Sequence, residues 1–235
     1  MTEGRKPNGT VLHDPVLEKL GMAIASGELP AGHVLTLEAI QDRFTVSRTV
    51  AREAMRILES MGLVNSKRRV GITVRPIAAW NVFDPKVIWW RLSGPGRDAQ
   101  LRSLTELRVA VEPLAAGAAA RAATPVERAR ISELAAILRR LGEAGELTEF
   151  MERDVEFHGL LLRASGNEMF GALADAIAAV LEGRTQLGLM PHQPVPEALD
   201  LHEAVARAVA AGRSIEAERA MGQLLAEVRE AVLPN

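Results

Sequence analysis

Apolar residues recur at every third or fourth position through most of this chain, and polar or Gly/Pro breaks divide the pattern into segments of helical length. The first segment, "DPVLEKLGMAIASG", opens with Asp14 as a capping residue and Pro15 at the first helical position, and Gly27 can end it. "TLEAIQDRF" predicts a short second helix capped by Thr36. A third helix is capped by Ser47, turns Val50, Ala54, Ile57, Leu58 and Met61 inward, and stops at Gly62. In "LVNSKRRVGITVRP" the pattern changes. Strand-forming residues flank a basic turn, which predicts a two-stranded hairpin with Gly71 near its tip. Three short helices followed by a basic hairpin make a winged helix-turn-helix.

"WNVFDPKVIWWRLSGPG" follows as a linker with one short helix, started by Asp84-Pro85 and stopped by Gly94-Pro95-Gly96. All 3 tryptophans, Trp80, Trp89 and Trp90, fall in it, outside the basic segment, and are expected to pack rather than to stack on bases. From Arg97 onward every pattern is helical. Leu101, Leu104, Val111, Ala115 and Ala118 mark a long first helix, and Thr124-Pro125-Val126-Glu127 is a capping box opening the second. Further helices are predicted over about 147–165, 168–187, 195–211 and 214–232, with a Pro-rich loop before the third of these. Nothing repeats at a fixed period, which argues against a helical solenoid. The predicted fold is therefore mainly α: a winged helix-turn-helix DNA-binding domain over 1–76, a linker over 77–97, and an all-α antiparallel helical bundle over 98–235.

Composition narrows the function classes. A chain of 235 residues fits two domains, and 48% hydrophobic content suffices for a core in each. With 0 Cys, disulfide frameworks and thiolate metal sites are excluded. No apolar run is long enough to span a bilayer and "MTEGRKPNGT" lacks a signal-peptide core, so no membrane partner and a cytoplasmic location are expected. The net charge of -2 conceals an asymmetry: residues 43–75 carry 8 basic and 2 acidic side chains. A basic segment on an acidic body points to a polyanion partner for that segment alone.

The chemistry of that segment is specific. Arg48, Thr49 and Arg52 fall on the side of the third helix opposite its apolar stripe, in the half that a helix-turn-helix inserts into the major groove. An arginine there can bond a guanine edge bidentately or neutralise a phosphate. Ser47 and the helix N-terminus offer N–H groups to phosphate. Lys67, Arg68 and Arg69 would reach phosphates or the minor groove from the wing. Double-stranded operator DNA is the expected partner.

In the bundle, the residues that interrupt the apolar stripes carry the information. In "LTEFMERDVEFHGLLLRASG", Asp154 and His158 lie one turn apart on the face of Leu147, Phe150, Met151, Leu161 and Leu162. His202 sits within the stripe of Val195, Leu199, Val205 and Val209, and Arg108 interrupts that of Leu101, Leu104 and Val111. Unpaired buried charges are costly, so these groups must meet each other, a metal or a bound anion. Two histidines and a carboxylate suit a borderline divalent metal such as Zn, Ni or Mn with open positions. The alternative is a metal-free network of Asp154, a histidine and Arg108.

"ASGELPAGHVLTLEAIQDRFTVSRTVAREAMRILESMGLV…RRVGITVRP" resembles the N-terminal reader of GntR-family bacterial transcription regulators, over about residues 12–76. The resemblance implies DNA contacts from Arg48, Thr49, Arg52 and Gly71. Many relatives carry an arginine in the second helix where this chain has Glu38. "LTELRVAVEPLAAGAAARAAT" and "FMERDVEFHGLLLRASGN" resemble the effector (FCD) domain of the FadR-type branch, over about 98–232. Such domains hold a metal through an Asp, a His one turn later and two further histidines. Asp154, His158 and His202 match three of these positions, and Leu224 stands at the fourth, which weakens the metal site or leaves a coordination place to a small-molecule oxygen. The resemblance further implies a sugar-acid effector of the galactonate or gluconate type.

The expected function is a ligand-responsive transcription regulator, a repressor, that binds a palindromic operator as a homodimer. Its effector is expected to be a small carboxylate held by Arg108, Asp154, His158 and His202. The alternative from another class is a metal-dependent enzyme built on Asp154, His158 and His202. That reading leaves the arginine face unexplained, and no separate general base or nucleophile accompanies the set.

Overall fold

The computed structural model describes residues 14–67, 71–188 and 195–232, and the chain divides into two compact units, Met1–Gly96 and Arg97–Asn235. In the first, helices α1 (Asp14–Ala25), α2 (Leu37–Phe44) and α3 (Arg48–Ser60) precede a small sheet. The caps at Thr36 and Ser47 form as the sequence predicts, whereas Asp14, expected to cap α1, is its first helical residue. Thr36 accepts from Ala39 N–H at 3.1 Å and Ser47 accepts from Val50 N–H at 3.3 Å. Gly62, at φ 79°, ends α3 in a left-handed conformation. The buried side of α3 is Ala51, Ala54, Met55 and Leu58, with Val50 and Ile57 at its margins.

Strands β2 (Val64–Lys67) and β3 (Gly71–Val74) form the antiparallel hairpin, with Lys67 opposite Gly71. The sheet has a third strand that the sequence did not predict. β1 (Val34–Leu35) pairs with the other edge of β3, giving the order β1-β3-β2. Gly71 adopts φ 102°, and a Cβ there would come within 3.1 Å of the Leu35 carbonyl oxygen. The segment expected to be a linker helix, α4 (Pro85–Leu92), is capped by Asp84 and packs into this unit's core. Trp90 is fully buried, and its indole N–H donates to Glu18 on α1 at 2.6 Å. Trp80 donates to the Arg75 carbonyl at 2.9 Å.

The second unit is all helical: α5 (Arg97–Ala122), α6 (Pro125–Ala144), α7 (Leu147–Ala164), α8 (Glu168–Gly171), α9 (Ala174–Gln186), α10 (Pro196–Ala210) and α11 (Ser214–Val232). The capping box at Thr124 and Glu127 is present. The helix predicted over 168–187 is two helices. At Leu173 the backbone N–H bonds the Phe170 carbonyl, three residues back instead of four, and the cylinder breaks there. Val195 is not part of the inner stripe of α10; it is the N-cap and is 46% exposed. The Pro-rich loop falls at 189–194, outside the described residues. α5 packs on α11 and α7, and α6 on α7 and α10. Alanines on α5 (Ala116, Ala119, Ala120) let α11 approach closely around Met221 and Leu225. Among the described residues, no helix is long and apolar enough to cross a membrane.

The contact of α4 with α1 can be tested at one atom. A Cβ on Gly21 would lie 2.5 Å from the Trp90 ring. Helix propensity alone makes Gly21→Ala stabilising by about 1 kcal/mol. Overpacking predicts the opposite sign, a loss of about 1–3 kcal/mol. Urea unfolding of the variant followed by tryptophan emission distinguishes the two; a raised midpoint would mean that α4 does not press on α1.

Candidate functional site

Two surfaces collect the residues singled out from the sequence. The first is the outer face of α3. Ser47, Arg48, Thr49, Arg52 and Arg56 are all exposed there, while the opposite face is sealed in the core. The helix meets the hairpin through Glu59, whose carboxylate accepts from Ser66 N–H at 2.8 Å. Gly71 lies at the base of the hairpin's turn. Arg68, Arg69 and the side chain of Lys67 lie outside the described residues. Glu38 on α2 stands 3.9 Å from the Arg48 guanidinium, so a carboxylate opposes the first arginine of α3.

The second is inside the helical unit. α7 turns Asp154 and His158 inward and α10 turns His202 toward them, bringing one ligand atom from each within 4.8 Å of the others. All three are buried. Phe157, itself fully buried, lies against both imidazoles, with ring centroids 5.6 Å from His158 and 5.2 Å from His202. Arg108 reaches this region from α5, but with a partner that the sequence reading missed. Glu112, one turn later, accepts from Arg108 Nε at 2.5 Å through Oε1 and lies 2.5 Å from His158 Nδ1 through Oε2. One carboxylate thus joins the arginine to the histidine.

The hydrogen-bond pattern fixes what the centre can hold. His202 Nδ1 is 2.6 Å from the Ala198 carbonyl, which can only accept, so that nitrogen carries a proton. His202 Nε2 then faces Asp154 Oδ1 at 3.0 Å. In a neutral ring this would set a lone pair against a carboxylate. A proton shared between the two atoms, or a cation bound by both, removes that repulsion. His158 makes ion-pair contacts in place of hydrogen bonds: Nδ1 lies 2.5 Å from Glu112 Oε2 and Nε2 lies 3.4 Å from Asp154 Oδ1. Histidines anchored through one ring nitrogen and presenting the other are the usual supports of a metal site. Donor atoms each about 2 Å from one ion would lie about 3–3.5 Å apart, and Asp154 Oδ1 is 3.0 Å from His202 Nε2 and 3.4 Å from His158 Nε2. The donor set fits a divalent cation. Leu224 is buried in the apolar core and supplies no fourth donor.

Without a cation, His158 holds a proton between two ionised carboxylates. Burial opposes charge on His158, but Glu112 and then Asp154 outweigh it and raise its pKa to about 9. Burial likewise opposes ionisation of Glu112, yet Arg108 and His158 depress it to about 2. Asp154 is held well below the usual carboxylate range, again against burial, by His158 and His202. A second residue absent from the sequence reading is Arg184 on α9, 6% exposed. Its spacing from Ile177, Val180 and Leu181 places it on that helix's inner stripe, a signal visible in the sequence.

Comparison with known proteins agrees with this division of labour. A family model described as "Bacterial regulatory proteins, gntR family" matches residues 12–74, and one described as "FCD domain" matches residues 103–227. The chain is 30% identical over 201 residues to the galactonate operon transcriptional repressor of Escherichia coli (strain K12), covering 83% of this chain and 86% of that one. It is 29% identical over 213 residues to the HTH-type transcriptional regulator LutR of Bacillus subtilis (strain 168), covering 88% and 94%. Two solved structures share the fold. Lar, described as controlling the expression of the Listeria monocytogenes agr system, has a TM-score of 0.57 at 16% identity, covering 96% of this chain and 98% of that one. E. coli McbR/YncC has a TM-score of 0.53 at 16% identity, covering 95% and 97%.

The protonated centre has a pH signature in metal-free protein. His158 rises from 6.5 in the unfolded chain to about 9. Its contribution to stability is full below pH 6.5 and is lost as pH rises through 9, on the order of 3 kcal/mol in all. The urea midpoint of the helical unit should fall between pH 6.5 and 9, and Glu112→Gln should flatten that fall. An equal fall in wild type and variant would disconnect Glu112 from His158.

Proposed function

The chain belongs to the GntR family of bacterial regulatory proteins and carries their FCD domain, and on that premise we propose that it is a ligand-responsive repressor that binds a palindromic operator as a homodimer. The chain is a transcriptional regulator of this type and not an enzyme, as its relatives are. That removes the metal-dependent enzyme reading of the buried triad. Its effector is a small carboxylate or sugar acid bound in the helical unit, and it acts in the cytoplasm. The observation that carries this reading is the convergence of Asp154, His158 and His202, with Glu112 and Arg108 behind them, inside an otherwise apolar bundle. A bundle needing only to fold would fill that space with apolar side chains. The E. coli relative's name, galactonate operon transcriptional repressor, supports a sugar acid as the class to try first.

The division of roles follows from the two surfaces. Arg48, Thr49 and Arg52 read base edges or phosphates from α3, Ser47 and the α3 N-terminus take a phosphate, and Gly71 lets the wing with Lys67, Arg68 and Arg69 approach the backbone. Two-fold pairing of readers matches two half-sites and adds the affinity that one small reader lacks. In the effector domain, Asp154, His158 and His202 would hold a Zn, Ni or Mn ion, which supplies a Lewis-acid anchor for effector oxygens. Arg108 sets the electrostatic frame beside it through Glu112.

Arg48→Ala and Arg52→Ala should each weaken operator binding by roughly 1–3 kcal/mol per site while leaving fold and assembly intact. Lys67→Ala should weaken all DNA sequences alike and lower the salt slope by about one unit. Mobility-shift titrations against salt on the promoter region read both. Unchanged affinity in both α3 variants would refute the major-groove assignment.

Thermal-shift screening of small carboxylates, with added divalent metal or with chelator, tests the effector domain. The expected result is a melting temperature raised by a sugar acid. Asp154→Ala should lower bound metal, measured by elemental analysis, together with effector affinity, and Leu224→His should raise metal affinity. Full effector affinity after exhaustive chelation would leave the carboxylate to the protein's own cations.

A further inference from the structure

The buried charges of the helical unit are not all matched. Arg108 is closed by Glu112, and Glu112 and Asp154 share the two histidines. Arg184 is different. It is 6% exposed, and among the described residues its Nε meets no hydrogen-bond acceptor and its guanidinium no carboxylate within ion-pair distance. α9 carries it on the face that packs against α7 and α5, the two helices bearing Asp154 and Arg108. Burial and then the like charge of Arg108 push its pKa down, to about 10, while Asp154 pulls the other way. Arg184 therefore remains a cation at neutral pH and feels the same cluster from another side. An unpaired guanidinium in a protein interior is strongly unfavourable. Nothing in the fold of α9 requires one, since a methionine would fill the stripe of Ile177, Val180 and Leu181 equally well.

We propose that Arg184 is the effector-recognising residue of the helical unit, and that its guanidinium takes the carboxylate of a monoanionic acid. This rests on the reading above that the unit binds a small acid, and it assigns recognition to a residue outside the metal-type triad. The charge count selects the ligand class. In the metal-free unit Arg108 is neutralised by Glu112 and Asp154 by His158, so one buried positive charge, Arg184, awaits one negative charge. A carboxylate supplies it and matches the planar fork of a guanidinium with two parallel hydrogen bonds. A phosphate monoester would bring a second negative charge into the field of Asp154. An uncharged sugar would leave Arg184 unpaired.

The test uses full-length wild type, Arg184→Met and Arg184→Lys, each titrated calorimetrically and by thermal shift with galactonate, gluconate, lactate, galactose and galactose 6-phosphate. A recognition residue carried at a cost to the fold predicts a linked pair of results. Arg184→Met melts at a higher temperature than wild type without ligand, and loses at least tenfold in affinity for the acid that wild type binds. Arg184→Lys, which keeps the charge but not the fork, stays folded and binds less tightly than wild type. A lower melting temperature of Arg184→Met would assign Arg184 to structure and overturn the proposal. So would undiminished acid binding by that variant, which would leave the small-acid reading of the unit standing. Preference for galactose 6-phosphate over every carboxylate would overturn the monoanion assignment. If no acid in the set binds wild type, the small-acid reading fails and takes this assignment with it.

Discussion

Everything distinctive about the helical unit depends on the price of an ion away from water. A carboxylate such as Asp154 can remain ionised at 7% exposure only if positive charge or donors converge on it. That requirement ties α7 to α10 through His202, and α7 to α5 through His158 and Glu112. Apolar packing alone would let these helices slide by a fraction of a turn at small cost. Contacts of 3.0 Å and 2.5 Å do not tolerate such slippage. The polar centre therefore sets the register of the bundle, and the alanine and leucine core fills in around it.

The same groups answer to two kinds of positive charge. A proton on His158 and a divalent ion at the triad would compete for the same lone pairs, which would link metal occupancy to protonation. Ring nitrogens anchored at Ala198 and Glu112 keep the presented nitrogens aimed at Asp154 in either state. Changing the occupant thus alters charge more than shape.

How much of this could be read from residues alone depended on how local the cause was. The caps at Thr36, Ser47, Asp84 and Thr124 are written in adjacent residues, and the structure forms all four. β1 is two residues long and exists only because β3 offers an edge, a tertiary cause with no local mark. The break between α8 and α9 falls at Ala172-Leu173, which carry no helix-breaking signal of their own. In the site, Asp154, His158 and His202 stand out because each interrupts a clear apolar stripe. Glu112 and Arg184 are buried as well; Glu112 follows Arg108 by one turn, and Arg184 sits in "LEGRTQ" among polar neighbours. Arg184 also keeps helical spacing with Ile177, Val180 and Leu181, but the pairing of Glu112 with His158 depends on the packing of α5 on α7.

The placement of the tryptophans has a practical meaning of its own. The chain contains 3 Trp and no Tyr, and Trp80, Trp89 and Trp90 all lie in the unit that ends at Gly96. The helical unit has only phenylalanine as an aromatic chromophore. Emission excited near 295 nm therefore reports on the reader unit alone, while far-ultraviolet ellipticity, dominated by the long helices, weighs the other. The two melting curves of one sample can be separated without labels. An effector whose binding changes the indole signal must be acting on a unit other than the one that holds it.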